Sequence, residues 1–188
     1  MEFDEPKRID IITFLAPISD HTISHLIDLT HTAQTEGSAE IHLHISSPGG
    51  RLYAAFTAYN FLRSLHLPFY THNIGSIEST ALMLYLASDC RSISPNCKFV
   101  LDNFEWTFPN VHVRLAELEE AHNLLSFDVQ TYVRIFEERT GKGYDVAACL
   151  SGASVVMSPD DATRAGIVNE SVSSPVIPEL AKLWMVRN

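Results

Sequence analysis

Basic residues are scarce in this chain: 13 Lys and Arg stand against 23 Asp and Glu, a formal net charge of −10. Nucleic acid and anionic membrane surfaces need clustered cations, so neither is expected as a partner. Long apolar runs are missing too. No stretch reaches the ~18 consecutive apolar residues of a membrane span. The opening MEFDEPKRID lacks the basic start and apolar core of a signal peptide. Cysteine is limited to Cys90, Cys97 and Cys149, an odd number without CxxC spacing. That predicts reduced, mostly buried thiols in a cytoplasmic protein, with no metal and no disulfide framework. Internal repeats, low-complexity tracts, linkers and recognisable cofactor motifs are all lacking, so no cofactor is expected.

What is present is an ordinary globular composition, 46% hydrophobic and 19% charged over 188 residues. That suffices for one domain, residues 1–188, with its own core. Ile9 to Leu15 reads as a strand, and Ser19 or Asp20 caps a helix running to about Thr35. Ile41 to Ser46 alternates, with Ile41, Leu43 and Ile45 on one face and His42 and His44 on the other. A helix over about Leu52 to Leu65 follows, then a strand from Phe69 to Ile74 turned by Gly75. The next helix opens near Ser79 and runs to Ala87, and Lys98 to Leu101 is strand-like. Strands alternating with helices predict an α/β fold with a mainly parallel sheet.

From Val113 to Thr140 there is neither Gly nor Pro. Leu115, Leu118, His122, Leu125, Val129, Tyr132 and Phe136 recur at spacings of three and four, one stripe along a helix of about 40 Å. A helix this long is either a core element or a contact between subunits, and its length favours the contact.

Two junctions carry the chemical signal. In HISSPGGRL, a strand ends at Pro48, Gly49 and Gly50, which lets backbone N–H groups approach something closely. In NIGSIESTALML, a second strand turns sharply into a helix and places Ser79 and Thr80 in its first turn. Acyl transfer needs such a serine on a tight turn with N–H donors for an oxyanion. Serine at this position is also an ordinary helix cap.

IHLHISSPGG, GSIESTA, SPNCKFVLDNF, TGKGYDV and MSPDDATRAGIVNES occur in the order and approximate spacing of the ClpP family of serine peptidases. The chain resembles that family from about Ile9 to Glu170. The resemblance implies a ClpP/crotonase-like spiral of ββα units with a protruding long helix, and a ring-shaped homo-oligomer. It makes Ser79 the nucleophile. Gly50 and Thr80 would supply the oxyanion-hole N–H groups, with a peptide or unfolded polypeptide lying beside Gly49 and Gly50.

The same alignment of motifs puts Asp102 where the family has its catalytic histidine and Ser154 where it has its catalytic acid. Unperturbed aspartates titrate near ~3.9, too low to take a serine proton at neutral pH and return it to a leaving amine. Histidine does both. Glu78, beside Ser79, adds negative charge where a small residue is expected. His72, His112 and His122 are the candidate replacement bases. The family's longer segment before the first strand, near its docking ATPase, has no equivalent ahead of Ile9, which weighs against a Clp ATPase as partner. The expectation is therefore a weak or inactive, ring-forming pseudoenzyme of the serine endopeptidase type, with a catalytic ClpP paralogue as a candidate partner. An active peptidase using another base and a crotonase-like acyl-CoA enzyme are the alternatives.

Overall fold

The computed structural model describes residues 8–104 and 112–188. In chain order the elements are β1 (Ile9–Phe14), α1 (Asp20–Thr35), β2 (Glu40–Ser47), α2 (Leu52–Arg63), β3 (Phe69–Glu78), α3 (Leu82–Leu86), β4 (Cys90–Ile93) and β5 (Lys98–Leu101), then α4 (Leu115–Thr140), α5 (Val146–Leu150), β6 (Val155–Met157), α6 (Pro159–Arg164) and β7 (Lys182–Val186). The sheet runs β6-β5-β3-β2-β1-β7, with β4 also on β3. All pairings are parallel except β5 with β6. This is the expected α/β architecture.

Alternation in β2 sorts its two faces as anticipated. Ile41, Leu43 and Ile45 join Ile12, Phe14, Leu26, Ala54, Ala55 and Ala58 in one buried cluster. Small alanines on α2 let that helix lie close to the strands. The N-terminus of α1 is closed reciprocally: the Ser19 hydroxyl accepts the Thr22 N–H at 3.2 Å and the Thr22 hydroxyl accepts the Ser19 N–H at 2.9 Å.

β3 is longer than expected. Gly75 does not end it; the strand continues to Glu78 and exchanges neighbours instead. Tyr70 to Asn73 pair with β4, and Ser76 to Glu78 pair with β5. A Cβ at Gly75 would lie 2.5 Å from Ser46 Oγ, so a side chain there would push the Ser46 side chain aside on the neighbouring strand. Asn73 braces the exchange, accepting the Gly75 N–H and donating to the Lys98 carbonyl, each at 2.9 Å. Ser79–Ala81 form a single 3-10 turn before α3.

α4 begins at Leu115, and its stripe is split. Tyr132 and Phe136 are fully buried, whereas Leu115 is 71% exposed and Leu118 46%. The C-terminal half lies against the body of the fold, whereas the N-terminal half touches it mainly through the buried Ala121 and the cavity-lining Leu125. Arg139 pins it there, donating from Nε to the Leu86 carbonyl at 2.9 Å and from Nη2 to Ser88 at 2.8 Å. The exposed half leaves Leu115, Leu118, Leu124 and Phe127 uncovered.

Among the strands, β4, β6 and β7 were not anticipated. β7 lies parallel to β1 and is tied to it by the buried Asp10. Trp184 Nε1 donates to Asp10 at 2.7 Å, and Arg8 pairs with it at 2.8 Å. Burial opposes the charge on Asp10, but hydrogen bonds from Arg8, Trp184 and Ser38 outweigh it and hold the carboxyl below its usual range. Cys97 and Cys149 are buried and Cys90 half-buried, all as free thiols. Among the described residues, no helix is long and apolar enough to cross a membrane.

Candidate active site

Ser79 stands where β3 passes into the 3-10 turn, with φ of 48°, the only positive φ of a non-glycine residue among those described. A side chain in this left-handed region costs about 1–2 kcal/mol, so packing has to hold it there. Two neighbours do so. The Tyr132 hydroxyl, from the buried half of α4, donates to the Ser79 carbonyl at 3.2 Å. Gly49 lies against the turn so closely that a Cβ there would meet Glu78 O at 2.7 Å and Thr80 N at 3.2 Å. The strained turn presents Ser79 at the surface of a cavity, the arrangement a nucleophile elbow requires.

The closest approach to Gly50 comes from within the chain. Its φ is 151°, and a Cβ would fall 2.2 Å from the Ile18 carbonyl oxygen. Ile18 donates to Gly49 O at 2.8 Å and accepts from Arg51 N at 2.9 Å, so one side of the glycine segment is already paired. The Gly50 N–H is engaged too. It donates to Thr80 Oγ1 at 2.8 Å, and that hydroxyl donates onward to Gly50 O at 3.2 Å. A substrate oxygen would have to displace the Thr80 hydroxyl to reach the Gly50 N–H.

Across the cavity, Asp102 follows β5 and Ser154 precedes β6. The antiparallel β5–β6 pairing brings them together although they are 52 residues apart. Ser154 Oγ donates to Asp102 Oδ1 at 2.6 Å, and the Asn103 N–H reaches the same oxygen at 3.0 Å. Glu78 is turned aside, accepting from the Ser76 hydroxyl at 2.7 Å.

Gly50, Arg51, Leu52, Tyr53, Ser79, Thr80, Asp102, Asn103, Phe104, Leu125 and Asp128 line a cavity of about 480 Å³. Ser79, Gly50, Thr80 and Asp102 thus share one site. Gly49 supports it from behind and Ser154 through Asp102. All nine histidines lie among the described residues, and none lines this cavity. His112 and His122 are exposed. His72 is on the other side of β3's partner exchange, its ring nitrogens bonded to Ser92 Oγ at 2.7 Å and Ser94 Oγ at 2.9 Å. Burial first, and nearby imidazoles second, push His72 and His44 down to about 4.

One site residue was missed in the sequence. Asp128 is 6% exposed and lines the cavity from α4. Burial raises its carboxyl above the usual range, and a hydrogen bond from Tyr53 only partly opposes this. The available signal was an aspartate at i+3 from Leu125 and i−4 from Tyr132, in the apolar stripe of a helix.

Residues 5–175 match the Clp protease family. The ATP-dependent Clp protease proteolytic subunit of Bdellovibrio bacteriovorus is 25% identical over 136 residues, covering 71% of this chain and 64% of that protein. Its counterpart from Deinococcus radiodurans is 24% identical over 139 residues, covering 71% and 65%. The Sorghum bicolor subunit is 26% identical over 163 residues, covering 79% and 74%. The match therefore spans less than two thirds of the length of the two bacterial proteins. A ClpP1 point mutant from Listeria monocytogenes has a similar fold, with a TM-score of 0.76 at 18% identity over 87% of this chain and 91% of that one. With a strained serine elbow on a mainly parallel α/β sheet and a family match over most of its length, the chain belongs to the Clp protease family.

Proposed function

We propose that this chain is a peptide-binding, ring-forming member of the Clp protease family that keeps the nucleophile Ser79 and lacks the acid–base pair to activate it. The observation carrying this reading is the Ser154–Asp102 hydrogen bond of 2.6 Å in a cavity that no histidine lines. Asp102 stands in the histidine's place and Ser154 in the acid's. A carboxylate held by a serine hydroxyl and a backbone N–H offers no imidazole to shuttle a proton between nucleophile and leaving amine. The closed Gly50 N–H works in the same direction, because an oxyanion would find one donor already engaged. His72 is unsuited as a replacement base, being bonded at both ring nitrogens away from the cavity.

Assembly into rings is supported by the exposed half of α4, where Leu115, Leu118, Leu124 and Phe127 give an apolar surface for a second copy. Peptides enter this reading through the relatives, which are proteolytic subunits.

The test is rescue. Asp102→His with Ser154→Asp should raise hydrolysis of short fluorogenic peptides at least about tenfold over wild type, and each single substitution far less, because triad members act as a unit. A folded double variant with no gain would contradict the assignment of these two positions.

A further inference from the structure

The cavity beside Ser79 has an unusual charge balance. Asp102 and Asp128 face it from opposite elements, β5's end and the middle of α4. Neither takes part in an ion pair among the described residues. Arg51, the one cation among the described lining residues, is paired instead with Asp20 at the surface. Of the two, Asp128 is more than nine-tenths buried. A buried carboxylate without a cation is costly, and a cationic ligand group would relieve that cost. The same lining carries apolar surface at Leu52, Phe104 and Leu125. Apolar surface beside a buried carboxylate suits a long side chain that has a methylene stem and a charged head. The volume, about 480 Å³, admits one.

We infer that this cavity takes a Lys or Arg side chain of the bound peptide, with its stem against Leu52, Phe104 and Leu125 and its cationic head between Asp128 and Asp102. This selectivity rests on the peptide-binding reading above and adds the substrate class. The Tyr53 hydroxyl is near Asp128 on the same lining.

Fluorescence anisotropy on the full chain tests it with two labelled peptides, identical except for a central lysine or its uncharged isostere norleucine. The lysine peptide should bind at least about tenfold more tightly, and the preference should shrink in 0.5 M salt. Asp128→Asn should remove the preference, so that the lysine peptide binds no more tightly than the norleucine peptide. Asp128→Ser serves the same purpose if the amide fails to fold. Asp160→Asn deletes an equal charge on exposed α6 and should leave the preference intact, which separates local recognition from the attraction of an acidic protein. Equal binding of both peptides, or a preference that survives Asp128→Asn and Asp128→Ser, overturns the inference alone. Binding of neither peptide overturns it together with the peptide-binding reading.

Discussion

The two walls of the cavity are built on different principles. On the Ser79 wall, several close contacts fix the backbone. Ser79 sits at φ 48°, the Tyr132 hydroxyl holds its carbonyl, and the Cβ positions of Gly49 and Gly50 are closed off by Glu78 O and Ile18 O. On the facing wall, Asp102 and Ser154 are joined by one side-chain hydrogen bond, and Ser154 is exposed. Few substitutions fit the first wall without a backbone shift, whereas many fit the second. Chemistry can therefore be lost from the second wall while the elbow stays assembled.

The largest expected effect is on the Ser79 wall. Gly50→Val places a side chain 2.2 Å from a backbone carbonyl and should cost upwards of about 4 kcal/mol or prevent folding, read by chemical denaturation. A stable Gly50→Val protein would mean that this wall is far softer than its geometry indicates.

Next in size is acid sensitivity. His44 on β2 and His72 on β3 lie on the strands that deliver the glycines and Ser79, and burial keeps both neutral, at about 4. Their neighbours include His42, Tyr70, Ser92 and Ser94, with no carboxylate among their direct hydrogen-bond partners. An unfolded histidine titrates near ~6.5 and takes up protons first as the pH falls. The stability these groups contribute is thus complete above about 6.5 and is lost as the pH drops from there through 4. Between pH 7.5 and 5 the loss should be on the order of 3 kcal/mol, roughly 5–10 °C in Tm. His44→Leu should flatten that dependence, and thermal melts across the range would measure it. Equal slopes in both proteins would remove the pair as the cause.

The smallest effects make the sharpest comparison between the walls. Tyr132→Phe removes a buried bond to the strained turn and should cost about 1 kcal/mol. Ser154→Ala on the exposed wall should change stability by no more than ~0.5 kcal/mol. A larger loss at Ser154 than at Tyr132 would reverse the ranking of the two walls.

Local sequence carried the first three strands, the first two helices and both junctions, because apolar period and turn residues are set by neighbours along the chain. Where long-range pairing decides, the sequence was silent or misleading. Gly75 looked like a turn because its contact with Ser46 belongs to another strand. The stripe of α4 looked uniform because it is mainly the C-terminal half that lies on the fold, through Tyr132 and Arg139. β7 depends on Trp184 meeting Asp10, 174 residues away. At the site, Ser79, Gly50, Thr80 and Asp102 were legible as a group. The plugging of the Gly50 N–H by Thr80 and the cavity position of Asp128 were not, since both are contacts across the fold.

Labelling of Ser79 by a fluorophosphonate probe at neutral pH tests the central claim most directly, since it reports activation of the serine independently of any substrate. The expected result is negligible labelling of the wild type and clear labelling of Asp102→His/Ser154→Asp. Rapid, stoichiometric labelling of the wild type that disappears in Ser79→Ala would contradict it.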